Sequence, residues 1–192
     1  MRIDYSDQVL APREWTLLQS EWATSLAATA PVGPILELCA GAGHIGLAAA
    51  VSADRDLVQV EADPTAARFA RLNAERAGWS GRTEIRVERL QSAVGPNERF
   101  PIMIADPPYL PSADVARWPQ DPVSAIDGGF DGLDVIRDCL AVATSCLSRG
   151  GPLLLQLAGA AQASQLGALP GWRRRELRIV DEERAVVLLT RS

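Results

Sequence analysis

Residues 33–51 read GPILELCAGAGHIGLAAAV, an apolar run of strand length that passes through closely spaced glycines straight into a run of helical composition. A strand that turns directly into a helix leaves its chain on the face of a sheet, and the next strand must return parallel to the first. This stretch therefore demands a parallel α/β architecture, and the rest of the chain keeps to it. DLVQVEAD is a second buried strand, and Pro64 suits the first turn of a helix over PTAARFARLNAERAGW that ends near Gly78. TEIRVERL alternates as a third strand and FPIMIAD is a fourth. In GLDVIRDCLAVATSCL the residues Leu133, Ile136, Leu140, Ala143 and Leu147 fall at helical spacing, and GGPLLLQLAG follows as a fifth strand.

The ends of the sequence complete the pattern. In residues 14–29, Trp15, Leu18, Trp22 and Leu26 mark an amphipathic helix ahead of the first strand. The tail WRRRELRIVDEERAVVLLT alternates twice around Asp181, Glu182 and Glu183, as a hairpin does. The expected fold is α/β, a doubly wound, mostly parallel sheet of seven strands closed by a C-terminal antiparallel hairpin. At 192 residues one domain is expected, with 1–30 as a helical lead-in and 31–192 as the functional core.

Composition removes several classes of function. Apolar residues make up 47% and charged residues 22%, the balance of a globular chain. No apolar run reaches the roughly 20 residues of a membrane span. The start, MRIDYSDQVLAPR, is too acidic and too broken for a secretory signal, so a cytoplasmic protein is expected. Cys39, Cys139 and Cys146 have no paired spacing and His44 is the single histidine, which supports neither a disulfide framework nor a zinc site; small buried thiols are expected. The net charge is −5 and every basic residue is Arg, so nucleic acid is the less favoured partner. Arg173, Arg174 and Arg175 beside Trp172 read as a solvated strand edge, since alternate residues of a strand face opposite ways.

In such sheets ligands gather beyond the carboxyl ends of the strands, near the switch in strand order. Gly41-x-Gly43-x-x-Gly46 satisfies the dinucleotide spacing, and Glu61 follows Gly41 by 20 residues, where a ribose-binding acid belongs. The spacing alone fits both NAD and S-adenosylmethionine. Glu37, in the strand ahead of the turn, would repel a pyrophosphate but suits the cationic amino acid end of S-adenosylmethionine, reached through water. Cys39, Gly41 and Gly43 are the cofactor positions expected in the turn itself.

The fourth strand ends in Asp106-Pro107-Pro108-Tyr109, for which hydride transfer has no use. Methyl transfer from a sulfonium is an in-line displacement, with the acceptor atom held roughly 3 to 3.5 Å from the methyl. An amide or exocyclic base nitrogen is a poor nucleophile because its lone pair is delocalised, so placement must compensate. Prolines lack an N–H and fix φ, which keeps the turn rigid and leaves the carbonyl of Pro107 free. With the Asp106 carboxylate it can accept both hydrogens of one NH2 group, while Tyr109 offers a flat face and Pro108 borders the acceptor. The charged product sheds its proton readily, so no strong base is required, and His44 is read as a loop or helix-start residue.

These motifs resemble the HemK-type N5-glutamine methyltransferases, whose Asn-Pro-Pro-Tyr is matched by residues 106 to 109. DPVSAIDGGFDGLDVIRDCL is similar to that family's next segment through Asp127, Gly128, Gly129, Asp131, Gly132 and Leu133. Pro12, Arg13 and Thr16 resemble its Pro-Arg-x-x-Thr, and Asn73 also fits. The resemblance implies a Rossmann-like class I methyltransferase fold, S-adenosylmethionine as cofactor and, as acceptor, a protein glutamine amide such as that of a release factor. An amino group of an rRNA or DNA base, or a small metabolite, is the alternative acceptor. Three departures stand out. Asp106 replaces Asn, a choice more typical of enzymes acting on nucleic-acid bases. The chain begins at the catalytic domain where bacterial members carry an N-terminal helical domain, so partner recognition is expected to differ or to be borrowed from another subunit. Finally, VERLQSAV stands where the family has Gly-Asp against the adenine, and Gln91 is the expected substitute there through its side-chain carbonyl.

Overall fold

Four short apolar segments, Ile35–Leu38 (β1), Leu57–Glu61 (β2), Ile102–Ala105 (β4) and Pro152–Leu157 (β5), form the parallel centre of the sheet, with Thr83–Val87 (β3) beside β2. The computed structural model is described for residues 1–166 and 170–192. Trp172–Asp181 (β6) and Arg184–Arg191 (β7) are the expected hairpin, and the full order is β3-β2-β1-β4-β5-β7-β6. Strand β7 lies between β5 and β6, antiparallel to both.

Every residue of β1, β4 and β5 is buried, because helices cover both faces and a parallel strand so placed reads as a continuous apolar run. Alternate residues divide between two cores. Leu36, Leu38, Met103, Ala105, Leu153 and Leu155 pack with Asp134–Cys146 (α5) and Gly159–Gln165 (α6). Ile35, Leu57, Ile102, Ile104 and Leu154 pack on the other face with Leu17–Ala27 (α1) and His44–Ala53 (α2), and Ala74 of Pro64–Arg76 (α3) joins them. Asp63 caps α3 through the amides of Thr65 and Ala66, and Pro64 occupies its first turn as its fixed φ favours.

The lead-in helix packs on the core through Trp22, with Leu18 and Leu26 partly buried against it as the spacing predicts, and polar residues share that face. A 3-10 turn over Glu14–Thr16 precedes α1, and the buried face carries Gln19, Ser20, Trp22, Ala23 and Ala27, while Trp15, Leu18 and Leu26 are only half-buried. Gln19 ties this face to the sheet. Its amide nitrogen donates to the carbonyls of Ala105 in β4 and Leu154 in β5, each at 3.0 Å. Two helices escape the sequence patterns: the single turn Val123–Ile126 (α4), and α6, which begins two residues after β5. Both are too short for periodicity to register.

Arg173, Arg174 and Arg175 lie exposed on the edge strand as expected, although the register shift between Arg174 and Glu176 interrupts strict alternation. No helix among the described residues is long and apolar enough to cross a membrane. Replacing Gln19 with Leu removes one donor from each of two buried carbonyls, and thermal or denaturant unfolding should show a loss of roughly 0.5–1.5 kcal/mol for each bond.

Candidate functional site

Parallel pairing matches Leu38 with Val60 on one side and with Ala105 on the other, so β1, β2 and β4 end at one level and their turns share one edge of the sheet. Glu61, the last residue of β2, spans the first two turns. Its carboxylate accepts from the amide of Gly41 at 2.7 Å and from that of Asp63 at 2.8 Å, one on each oxygen. Burial raises its pKa, and these backbone donors oppose the rise.

Glu37 lies beneath the turn, 1% exposed, with one oxygen on the amide of Gly46 at 2.8 Å and the other on the Gln59 amide. Gln59 also donates to the carbonyl of Gly43, so the buried carboxylate and Gln59 brace the start of α2 from inside. Burial pushes Glu37 up to about 7, with Asp106 and Glu61 adding like charge. His44 is the first residue of α2. Its Nε2 lies 2.9 Å from Thr16 Oγ, which itself donates to the carbonyl of Arg13, so the ring carries its proton on Nε2 and ties the lead-in to the glycine turn. Burial lowers its pKa to about 4 and keeps it neutral.

Cys39 follows β1 with a left-handed φ of 57° and directs its sulfur to within 4.0 Å of the Cys139 sulfur in α5. The hydrogen bond with Cys139, then burial, pushes this thiol well above its ordinary range. All three cysteines are free, with Cys139 and Cys146 buried and Cys39 half-buried. Among the described residues no group of three or more His, Cys, Asp or Glu side chains could hold a metal. Gln91 sits on the exposed turn Leu90–Ser92 and donates its amide nitrogen to Asp138 at 2.8 Å, while its side-chain carbonyl accepts no hydrogen bond among the described residues.

Asp106 is the residue immediately after β4. It lines a cavity of about 370 Å³ together with Pro107 and Tyr109. Among the described residues neither the Asp106 carboxylate nor the Pro107 carbonyl accepts a hydrogen bond, whereas the Tyr109 carbonyl accepts from Gln162 at 2.9 Å. Burial pushes the Asp106 carboxyl up to about 7. The Asp127–Leu133 stretch clamps the turn from outside. The Leu110 amide donates to the Ile126 carbonyl and the Gly128 amide to the Leu110 carbonyl, and the Tyr109 carbonyl occupies the space a Cβ on Gly132 would need, which requires glycine there at φ 75°. Asp127 accepts from Ser112 and from the amide of Gly129, fixing the segment's bend.

Residues 21–117, half of the chain, match the family model described as Methyltransferase small domain. The chain belongs to that family. The release factor glutamine methyltransferase of Geobacter sulfurreducens is 36% identical over 155 residues, 78% of this chain and 53% of that protein. The ribosomal protein uL3 glutamine methyltransferase of Burkholderia pseudomallei is 30% identical over 139 residues, 66% of this chain and 45% of that protein. The chain thus spans about half the length of these curated relatives. The hMettl16 catalytic domain, solved in complex with a MAT2A 3'UTR hairpin, superposes with a TM-score of 0.75 at 14% identity, covering 98% of this chain and 74% of that one, a likeness of fold.

The methyltransferase domain also draws cavity residues from places where sequence reasoning had no purchase. Arg184 comes from the start of β7, Gln162 from α6 and Trp15 from the lead-in, where its spacing marked it as core. No local signal points to Arg184 or Gln162.

The raised carboxyls make stability depend on pH. Glu37 and Asp106 bind protons more tightly folded than unfolded, so their contribution falls as pH rises from the ordinary carboxylate range through about 7. His44, lowered to about 4, works in the opposite sense between about 4 and its ordinary 6.5. Asp106→Asn should therefore gain stability relative to the parent as pH rises from 5 to 8, measured by thermal melts of the protein without ligand. A constant difference across that range would mean Asp106 keeps its ordinary acidity.

Proposed function

We propose that this chain carries the catalytic core, residues 31–192 with 1–30 as lead-in, of an S-adenosylmethionine-dependent N-methyltransferase acting on a glutamine side-chain amide of a protein. One observation carries the reading: an uncommitted carboxylate, Asp106, and an uncommitted carbonyl, Pro107, adjoin on one cavity at the end of the strand paired with the glycine-turn strand. The relatives named for release factors and for ribosomal protein uL3 supply the acceptor class. An acceptor in the translation apparatus places the reaction in the cytoplasm.

S-adenosylmethionine supplies an electrophilic methyl on a cationic sulfur. Glu37, Glu61 and Asp106 fit such a ligand, since acids held out of water are stabilised by a cation and would oppose a pyrophosphate. Glu61 spends one lone pair of each oxygen on the backbone and keeps acceptor capacity for ribose hydroxyls. Cys39, Gly41 and Gly43 contribute turn backbone, and Gln91 keeps a free carbonyl for an amino group. On the acceptor side, Asp106 and the Pro107 carbonyl take the two hydrogens of one NH2, Tyr109 supplies the flat face, and Pro107 and Pro108 keep the turn from yielding. As the nitrogen gains a methyl it loses one proton, which passes to the Asp106 carboxylate or to water.

The carboxylate in place of an amide has a further effect. It favours a cationic donor over a neutral demethylated product, which strengthens donor binding and product release together. It also favours a second reading, methylation of an exocyclic amine on a nucleic-acid base. Charge weighs against that reading. The net charge is −5, and the cavity carries Asp106, Asp114, Asp121, Asp131, Glu182 and Glu183 against Arg13, Arg117 and Arg184.

Mass spectrometry of a release factor and of ribosomal protein uL3 incubated with labelled S-adenosylmethionine tests the acceptor, with methylated glutamine as the expected product. Asp106→Ala should lower kcat by about 100-fold or more while calorimetry shows the donor still bound. Asp106→Asn should retain transfer, bind the donor more weakly and narrow its preference over S-adenosylhomocysteine. Glu61→Ala should weaken donor binding by about tenfold or more, the loss of charge-assisted bonds. An unchanged rate in Asp106→Ala would remove this turn from catalysis.

A further inference from the structure

The cavity that Asp106 and Pro107 border has a second polar wall, built from the two ends of the chain. The Arg184 guanidinium lies 3.8 Å from the centroid of the Trp15 ring, and Arg13 lies 5.7 Å from the same ring. Each arginine is anchored by a carboxylate, Arg184 by Asp181 and Arg13 by Asp121. The hairpin tip that presents Arg184 is itself held in place, because the Glu182 carbonyl packs where any side chain on Gly159 would stand. Tyr109 lines the same cavity as Asp106, Arg13 and Arg184.

One atom of this wall has no partner. Arg184 Nε is buried, and no acceptor among the described residues takes its hydrogen. Of the buried side-chain atoms in that condition, it alone belongs to a residue lining the cavity. A buried donor left unpaired costs about 1–3 kcal/mol, so a cavity-lining guanidinium with this hydrogen unsatisfied gains by turning it toward an acceptor atom.

We propose that Arg184 is an acceptor-binding and specificity-determining residue, whose Nε–H takes the carbonyl oxygen of a carboxamide while Asp106 and the Pro107 carbonyl hold its NH2. The proposal rests on the amide reading above and completes its chemistry. Asp106 and Pro107 offer only acceptors, which leaves the amide oxygen without a donor. Arg184 supplies one. It also sets the class of acceptor: a primary ammonium has no acceptor atom to offer and is repelled by the guanidinium, so an amine of lysine type is rejected.

The test follows arginine Nε–H resonances of nitrogen-15 protein, with Arg184 identified by its loss in Arg184→Lys. Acetamide is titrated with and without S-adenosylhomocysteine, and ethylammonium serves as control. The expected result is a saturable shift of the Arg184 Nε–H with acetamide and none with ethylammonium. Arg184→Lys, which keeps the charge and loses that hydrogen, should bind acetamide about tenfold more weakly while its circular dichroism spectrum stays that of the parent. A silent Arg184 signal while Tyr109 responds, equal acetamide binding by the variant, or no acetamide response at all would each overturn the proposal. Failure of the donor reading is seen separately, as the absence of S-adenosylhomocysteine shifts at the Gly41 and Gly43 amides.

Discussion

Everything at the candidate site depends on β1 lying between β2 and β4 in parallel register. Leu38 opposite Val60 and Ala105 makes three strands end together, so the glycine turn, Glu61 and Asp106 fall on one edge although they are up to 65 positions apart, 41 to 106, in the chain. Helices on both faces follow from the parallel connections, and they in turn exclude water from the strand ends. The site's electrostatics are a consequence of that packing.

Three carboxyls near a dry strand edge are an unfavourable arrangement for an empty protein. Burial raises the carboxyls of Glu37 and Asp106 to about 7, and Asp106 and Glu61 add like charge at Glu37. A bound cation reverses the balance, so the same desolvation that weakens the folded chain would strengthen the binding of the sulfonium ligand proposed above. The acids divide the work. Glu37 has both oxygens occupied by Gly46 and Gln59, so in the proposed function its part is to brace the glycine turn. Glu61 and Asp106 keep capacity for contacts of their own.

The cavity is closed by segments that no single motif contains. Arg13 and Trp15 come from the lead-in, Gln162 from α6 and Arg184 from the hairpin, and each is held by a distant partner: Asp121 for Arg13, the Tyr109 carbonyl for Gln162 and the Trp15 ring for Arg184. The lead-in is joined to the core by Gln19 and by the contact of Thr16 with His44, so the residues before β1 are part of the same packed unit as the strands.

The strand and helix succession, the glycine turn, the hairpin and the Asp-Pro-Pro-Tyr turn were legible in the amino-acid order because each rests on local physics: periodicity, proline's fixed φ, glycine's tolerance of tight turns. Residues such as Glu61 and Asp106 could be placed at the site because strand ends in a doubly wound sheet share an edge. Which polar residues share the buried face of the lead-in helix, which acids are already satisfied by the protein, the approach of Cys39 to Cys139 and the presence of Arg184 in the cavity were decided only in three dimensions. Each depends on contacts between groups far apart in the chain, such as the 100 positions that separate the two sulfurs. Side-chain satisfaction is a property of the packed interior, and local sequence carries no record of which distant donor or ring will arrive there.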